Sequence, residues 1–123
     1  MHDTRHTFVP GPFDFQRLDV HRVLQDALVS GDRLARDLPR GYSNLSDQIT
    51  RALLSAHLLF VEAASRIGAD RRNRFRMSKA EASEAAAGLG DAVLLGLLPE
   101  SDVAPIVTLL ARPSAMLTKL AAR

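Results

Sequence analysis

Cysteine and tryptophan are missing from this 123-residue chain, and tyrosine occurs only once. Without cysteine the chain has no disulfides and no thiolate metal ligands, which excludes a disulfide-stabilised secreted domain. The shortage of aromatic residues leaves little material for a surface that stacks nucleic-acid bases. The glycines lack the spacing and the strand-turn-helix context of a phosphate-binding loop, so we do not expect nucleotide hydrolysis.

Long apolar runs are also missing. The most apolar run, residues 85–98, contains Asp91 and is shorter than the roughly 20 residues that a membrane-spanning helix needs. Pro10, Gly11 and Pro12 interrupt the N-terminal segment, where a signal peptide would have a continuous apolar core. We therefore expect a cytoplasmic protein with no membrane partner.

Positive charge is concentrated in one stretch of the chain. The net charge is only +2, yet 14 of the 16 cations are arginine, whose planar guanidinium suits phosphate or carboxylate better than a lysine ammonium does. Within residues 66–79 only Asp70 opposes six cations, which are Arg66, Arg71, Arg72, Arg74, Arg76 and Lys79. We expect this segment to form an unneutralised corner that attracts an anionic partner.

The first 14 residues show no helical period and contain Pro10 and Gly11, so we expect an irregular N-terminal arm over residues 1–14. Phe8, Phe13 and Phe15 are three of the five phenylalanines. Burying each would contribute about 1.5–3 kcal/mol. The arm is therefore expected to pack on its own domain, residues 15–123, or on a neighbouring subunit.

Two helices are predicted in the first half of that domain. Apolar residues recur at steps of three and four from about Phe15 to Asp37, and Pro39 ends the pattern. The second helix is expected to begin near Asn44 or Ser46, either of which could cap it, and to end at Gly68.

Two more helices are predicted in the second half. The third begins either near Asp70 or, if Ser78 and Glu81 form a capping box, at residue 79; the continuous apolar spacing favours the earlier start. It ends at Leu98. A fourth helix follows from Ser101 or Asp102, with a kink or short break near Arg112 because Pro113 lies inside the pattern.

These four segments are similar in length and are joined by short connections. That combination favours an all-α fold, an antiparallel up-and-down four-helix bundle with crossing angles near 20°. Gly88, Gly90 and Gly96 each cost about 1 kcal/mol in a helix interior, so they indicate a closely approaching neighbour or a local bend.

Several small and polar residues carry a resemblance to a known family. They are Asp47, Gln48, Arg51, Ala52, Ser55 and Glu62, followed by the arginine-rich turn and by Met77, Ala80, Ala82, Ser83 and Leu89. Over residues 15–121 the chain resembles the bacterial four-helix-bundle family first noted in intervening sequences of 23S ribosomal RNA genes. That family includes the accessory protein of diversity-generating retroelements.

The resemblance implies a small basic bundle that assembles into a ring, commonly of five subunits, with RNA or a nucleic-acid enzyme as partner. The chain departs from the family pattern at Leu59 and Ala63, where the family usually has Asn and Gly, and at Ala86, where it usually has Glu. Any role of those polar residues in the family does not carry over to this chain.

The other polar residues give no catalytic constellation. A di-iron site would need Glu and His three residues apart, but neither Glu62 nor His57 has such a partner. Ser55 lies only two residues from His57, which places the two side chains on different helix faces. We expect Glu62 to form a structural ion pair with Arg51 or with an arginine of another helix or subunit. No catalytic residue, metal ligand or cofactor is predicted.

The sequence therefore predicts a non-enzymatic, self-associating bundle that binds RNA or a nucleoprotein partner electrostatically. If the third helix starts early, Arg72, Arg76 and Lys79 share one face, while the other three cations crowd the turn. The alternative is a structural oligomer or a protein-protein adaptor with no nucleic-acid role. In that case the cations form a solvated face paired with Asp70, Glu81 and Glu84.

Overall fold

The computed structural model describes residues 18–122, and this part of the chain consists of helices with no strand. Helix α1 spans Asp19–Arg36, α2 spans Ser43–Ala64, α3 spans Gly68–Leu94 and α4 spans Glu100–Ala121. A single turn of 3-10 helix, Arg40–Tyr42, precedes α2. The predicted all-α fold with four helices is confirmed. The arm at residues 1–14, its phenylalanines and the predicted start at Phe15 lie outside the described residues.

Each helix packs against two others around one apolar core. Helix α1 contacts α2 and α4, and α3 also contacts α2 and α4. The largest fully buried side chains include Phe60 of α2 and Phe75 of α3, whose ring centroids lie 6.1 Å apart. Alanines fill much of the remaining interior, which lets the helices approach closely because their side chains are short.

The junction between α1 and α2 differs from the prediction. Helix α2 begins at Ser43, and neither Asn44 nor Ser46 caps it. The hydroxyl of Ser46 instead donates a hydrogen bond of 2.9 Å to the backbone carbonyl of Ala35, at the end of α1. A side chain predicted to serve its own helix therefore ties two helices together.

The start of α3 confirms the earlier of the two alternatives. Helix α2 ends at Ala64, before the predicted stop, and α3 begins at Gly68, which adopts a left-handed φ of 62°. Ser78 does not open a helix: it is buried inside α3, and its hydroxyl donates to the Ala56 carbonyl of α2 at 2.6 Å. The six cations are thus divided between a short connection and the first three turns of a helix.

The observed ends of the later helices also differ from the predicted ones. Helix α3 ends at Leu94 and not at Leu98. Gly96, two residues beyond this end, adopts a left-handed φ of 74°. Near Arg112 a kink or a short break was expected; helix α4 continues through Pro113, so the break is absent. Gly88 confirms the expected close approach, because a Cβ built there would lie 2.8 Å from Cγ1 of Ile49, whereas nothing lies within 4 Å of a Cβ at Gly90.

Helix α4 is long and apolar enough, by length and composition, to cross a membrane. This is weak evidence, because core helices of soluble proteins pass the same test. One face of α4, with Val103, Ile106, Leu110 and Leu117, is buried against the other helices.

Candidate nucleic-acid interface

The structure places the six predicted cations in different surroundings. Arg66 lies in the connection between α2 and α3, and the other five lie on α3. On that helix Arg74 faces α2, whereas Arg76 and Lys79 face the C-terminal part of α4. The two sides of α3 place their cations in different electrostatic surroundings.

The cations on the α2 side are paired with carboxylates. Arg74 donates to Glu62 of α2 at 2.9 Å and to Asp70 at 3.1 Å, one turn earlier on α3. Arg66 lies 3.6 Å from the other oxygen of Asp70. The predicted ion pair of Glu62 with an arginine of another helix is therefore confirmed, and its partner is Arg74. The expectation of an unneutralised corner is wrong for Arg66 and Arg74.

Arg71 is held by an aromatic contact. Its guanidinium carbon lies 4.9 Å from the ring centroid of Phe75, one turn further along α3. A cation over an aromatic face is attracted by the negative charge density of the ring. Phe75 is fully buried and Arg71 is half-buried. Because the ring has no net charge, the contact positions the arginine without neutralising it.

The remaining three cations carry unbalanced charge. Within residues 18–122, no ion pair joins Arg72, Arg76 or Lys79 to a carboxylate. Their spacing of four and three residues places them on one side of α3, as the early start predicted. Arg76 and Lys79 also border a recess of about 280 Å³, whose other wall is formed by α4, including Leu117 and Thr118. We call Arg72, Arg76 and Lys79 the cationic stripe.

A second ion-pair cluster lies further along the α2–α3 boundary. Arg51 of α2 donates to Glu84 of α3 at 2.6 Å and lies 3.6 Å from Glu81. Burial raises the pKa of the Glu81 carboxyl, with the neighbouring Glu84 as a further cause and Arg51 opposing. This cluster neutralises a cation that the sequence had offered as a partner for Glu62.

A pair of histidines is the polar contact that sequence reasoning missed. Nε2 of His57 on α2 lies 2.9 Å from Nδ1 of His21 on α1, so one imidazole donates a hydrogen bond and the other accepts it. Burial lowers the pKa of both, and that of His57 falls to about 4, with His21 as a further cause. Neutral imidazoles can form this bond, so the pair joins the two helices without carrying charge.

The other candidate residues show no catalytic arrangement. The hydroxyl of Ser83 donates to the Lys79 carbonyl of its own helix at 3.1 Å. In the described part of the chain, no group of three or more His, Asp or Glu side chains is placed to hold a metal ion. The expectation of a metal-free, non-enzymatic protein remains a prediction.

Comparison with models of known protein families finds no match, and no curated protein matches the chain significantly. The family resemblance therefore remains a prediction from the residues quoted above, and the candidate interface rests on the position and charge of the cationic stripe alone.

Proposed function

We propose that this protein is a non-enzymatic, self-associating helical module that binds RNA, or a partner containing RNA, through the cationic stripe. The observation that supports the proposal is the unbalanced charge of Arg72, Arg76 and Lys79, of which Arg76 and Lys79 border a recess between α3 and α4. Phosphate oxygens are strong acceptors for guanidinium and ammonium groups, and contacts to them need no base recognition.

The proposed mode is recognition of the nucleic-acid backbone. Along α3 the three cations cover about 10 Å, at 1.5 Å per residue. The described surface around them contains no exposed aromatic side chain on which a base could stack, because Phe75 is buried. Affinity would therefore come from charge and depend weakly on base sequence.

Arg66, Arg71 and Arg74 belong to the proposed site in a supporting role. Their contacts with Asp70, Phe75 and Glu62 fix the turn from which α3 projects. The same contacts favour the alternative function, a structural oligomer or protein adaptor, because they show that part of the arginine content serves the fold.

For the fold we propose an antiparallel up-and-down arrangement. It is supported on the α2–α3 side by two contacts in opposite order: Arg51 meets Glu84, whereas the later residue Glu62 meets the earlier residue Arg74. Short connections between consecutive helices support it for the other pairs.

The binding proposal is tested by fluorescence anisotropy with a labelled single-stranded RNA at several salt concentrations. Replacing Arg72, Arg76 and Lys79 by glutamine should abolish most binding at low salt. It should also flatten the log-log salt slope by about 2, since each phosphate neutralised on a single strand contributes about 0.7.

A matched control replaces three exposed arginines elsewhere, Arg33, Arg40 and Arg112, by glutamine, which changes the net charge equally. This variant should retain most of the affinity and the slope. Equal losses of affinity in the two variants would show that only net charge matters. If the wild-type protein does not bind RNA at low salt, the RNA-binding proposal is excluded in favour of the adaptor.

A further inference from the structure

The outward face of α3 carries opposite charges at its two ends. Arg76 lies in the third turn of the helix and Asp91 in its last turn, and both are exposed. They are about 22 Å apart along the axis, at 1.5 Å per residue. Among the described residues, no ion pair or hydrogen bond engages either side chain. Glu100 of α4 lines the same recess as Asp91, so the second end of the face is acidic.

The acidic end of this face also exposes a large apolar side chain. Leu94 is 86% exposed, although it is a large hydrophobic side chain. It forms the ridge between a groove of about 550 Å³, shared by α3 and α4, and a smaller recess of about 330 Å³ beside Tyr42. An exposed leucine between two apolar recesses is typical of a surface that another molecule covers.

Between the two ends, the side chains are too short to prevent close approach. Ala80, Ser83 and Ala87 are exposed on α3. The neighbouring exposed residues of α4 are also small: Ala104, Thr108, Ala111 and Ala115. A second helix could lie flat on this face. Its charges and apolar residues would have to match Arg76, Asp91 and Leu94.

We infer that the face formed by α3 and α4 binds the same face of a second copy of this chain, with the two α3 helices antiparallel. A two-fold axis that passes between Ser83 and Glu84 places Arg76 of each copy opposite Asp91 of the other. The same axis places Ala80 opposite Ala87. One alignment of the two helices therefore satisfies both the charged pairs and the pairs of small residues. Self-complementarity of this kind is the requirement for a two-fold interface.

The ends of the interface complete the register. In this register Leu94 of one copy lies opposite Asn73 of the other, an exposed residue in the second turn of α3. Arg76 changes from a free cation to a paired one, and opposite charges meet at both ends. The arrangement is a dimer, and it differs from the five-membered ring that the family resemblance implies.

This inference rests on the self-association in the proposed function and names the surface responsible. It does not depend on RNA binding. Light scattering after gel filtration of the full chain, at several concentrations and without RNA, should give twice the chain mass of 13.4 kDa. Asp91→Arg should weaken the dimer at least tenfold, and Arg76→Asp should do the same, because each places like charges opposite one another.

The double variant Arg76→Asp/Asp91→Arg should restore dimerisation, since it exchanges the charges without removing the pair. This recovery would exclude misfolding as the cause of the single-variant losses. A matched control exchanges two charges outside the face, Asp37→Arg with Arg40→Asp, and should leave the mass unchanged. Circular dichroism of each variant checks that the helices remain.

Because the chain contains no cysteine, a single introduced thiol reports proximity without background. Ser83→Cys lies beside the proposed axis and should yield a covalent dimer with a short bismaleimide. Ser43→Cys, exposed at the start of α2, should not.

The outcomes separate the inference from the proposed function. An assembly whose mass is unaffected by either charge reversal would overturn this interface and leave self-association standing, and a mass five times that of the chain would overturn it in favour of a ring. A protein that stays monomeric at every concentration would overturn both the interface and self-association. The RNA-binding part of the proposed function is judged separately by the salt titration.

Discussion

Single residues decide how closely the helices of this protein approach one another. At Gly88 the side chain of Ile49 occupies the space that a Cβ would need, whereas Gly90, two residues later, faces open space. Both positions lie inside α3, so both incur the same backbone cost of about 1 kcal/mol relative to alanine. Their different surroundings allow the cost of packing to be separated from helix propensity.

We predict opposite effects for alanine at these two positions. Gly90→Ala should raise the free energy of unfolding by about 0.5–1 kcal/mol, because it adds helix propensity without a clash. Gly88→Ala should lower it, because a contact of 2.8 Å forces Ile49 or the helix to move. Urea denaturation of the two variants beside the wild type measures both changes; a stabilised Gly88→Ala would show that α2 and α3 separate easily.

At the scale of elements, contacts between helices are held by a few polar bonds within an apolar interface. The histidine pair joins α1 to α2, and Ser78 joins α3 to α2. The native His57 stays neutral down to about pH 4, whereas in an unfolded chain it would take up a proton near pH 6.5. Between these values the unfolded chain binds more protons than the folded chain.

The contribution of neutral His57 to stability should therefore be fully present above pH 6.5 and should be lost progressively as the pH decreases to about 4. His57→Gln keeps a hydrogen-bonding side chain but removes the titration. The variant should lose less stability than the wild type between pH 7 and pH 4.5 in urea denaturation. Comparing the two proteins at each pH cancels the shared contribution of the carboxylates, and parallel curves would contradict the prediction.

The four helices could be predicted from sequence because their apolar residues repeat at helical spacing, and the start of α3 followed from the same spacing. Local signals failed where tertiary contacts competed with them. Ser46 and Ser78 resemble capping residues, but each hydroxyl bonds to a carbonyl of another helix. Pro113 resembles a helix breaker, but it is buried in the continuous helix α4.

The sequence locates the six cations of the candidate site but does not show which of them are paired. The sequence shows six cations close together and cannot show which carboxylates reach them across helices. Glu62 is twelve residues from Arg74 and meets it only because α2 and α3 pack side by side. The histidine pair was missed for the same reason, since its members are 36 residues apart.

At the scale of the whole molecule, the cationic stripe and the proposed dimer face share Arg76. One guanidinium cannot be buried against Asp91 of a second copy and also contact a phosphate. The two proposals together therefore make assembly and RNA binding compete for the same surface.

We predict that saturating RNA at low salt reduces the dimer fraction in sedimentation velocity experiments. The variant Arg76→Asp/Asp91→Arg should retain the dimer while RNA no longer dissociates it, because its exchanged acid repels phosphate at the former site of Arg76. A dimer that binds RNA without dissociating would show that Arg72 and Lys79 suffice for the contact.

The buried proline of α4 has a consequence for this shared surface. Because proline has no amide proton, the backbone carbonyl of Leu109 receives no bond from residue 113, and the hydrogen-bond ladder is interrupted there although the helical path continues. The two turns beyond it are held by burial instead, because Leu117 is fully buried and Ala121 is only 6% exposed. These turns form the wall opposite Arg76 and Lys79, so the shape of the recess beside the cations depends on how Leu117 packs into the core and not on an unbroken hydrogen-bond ladder.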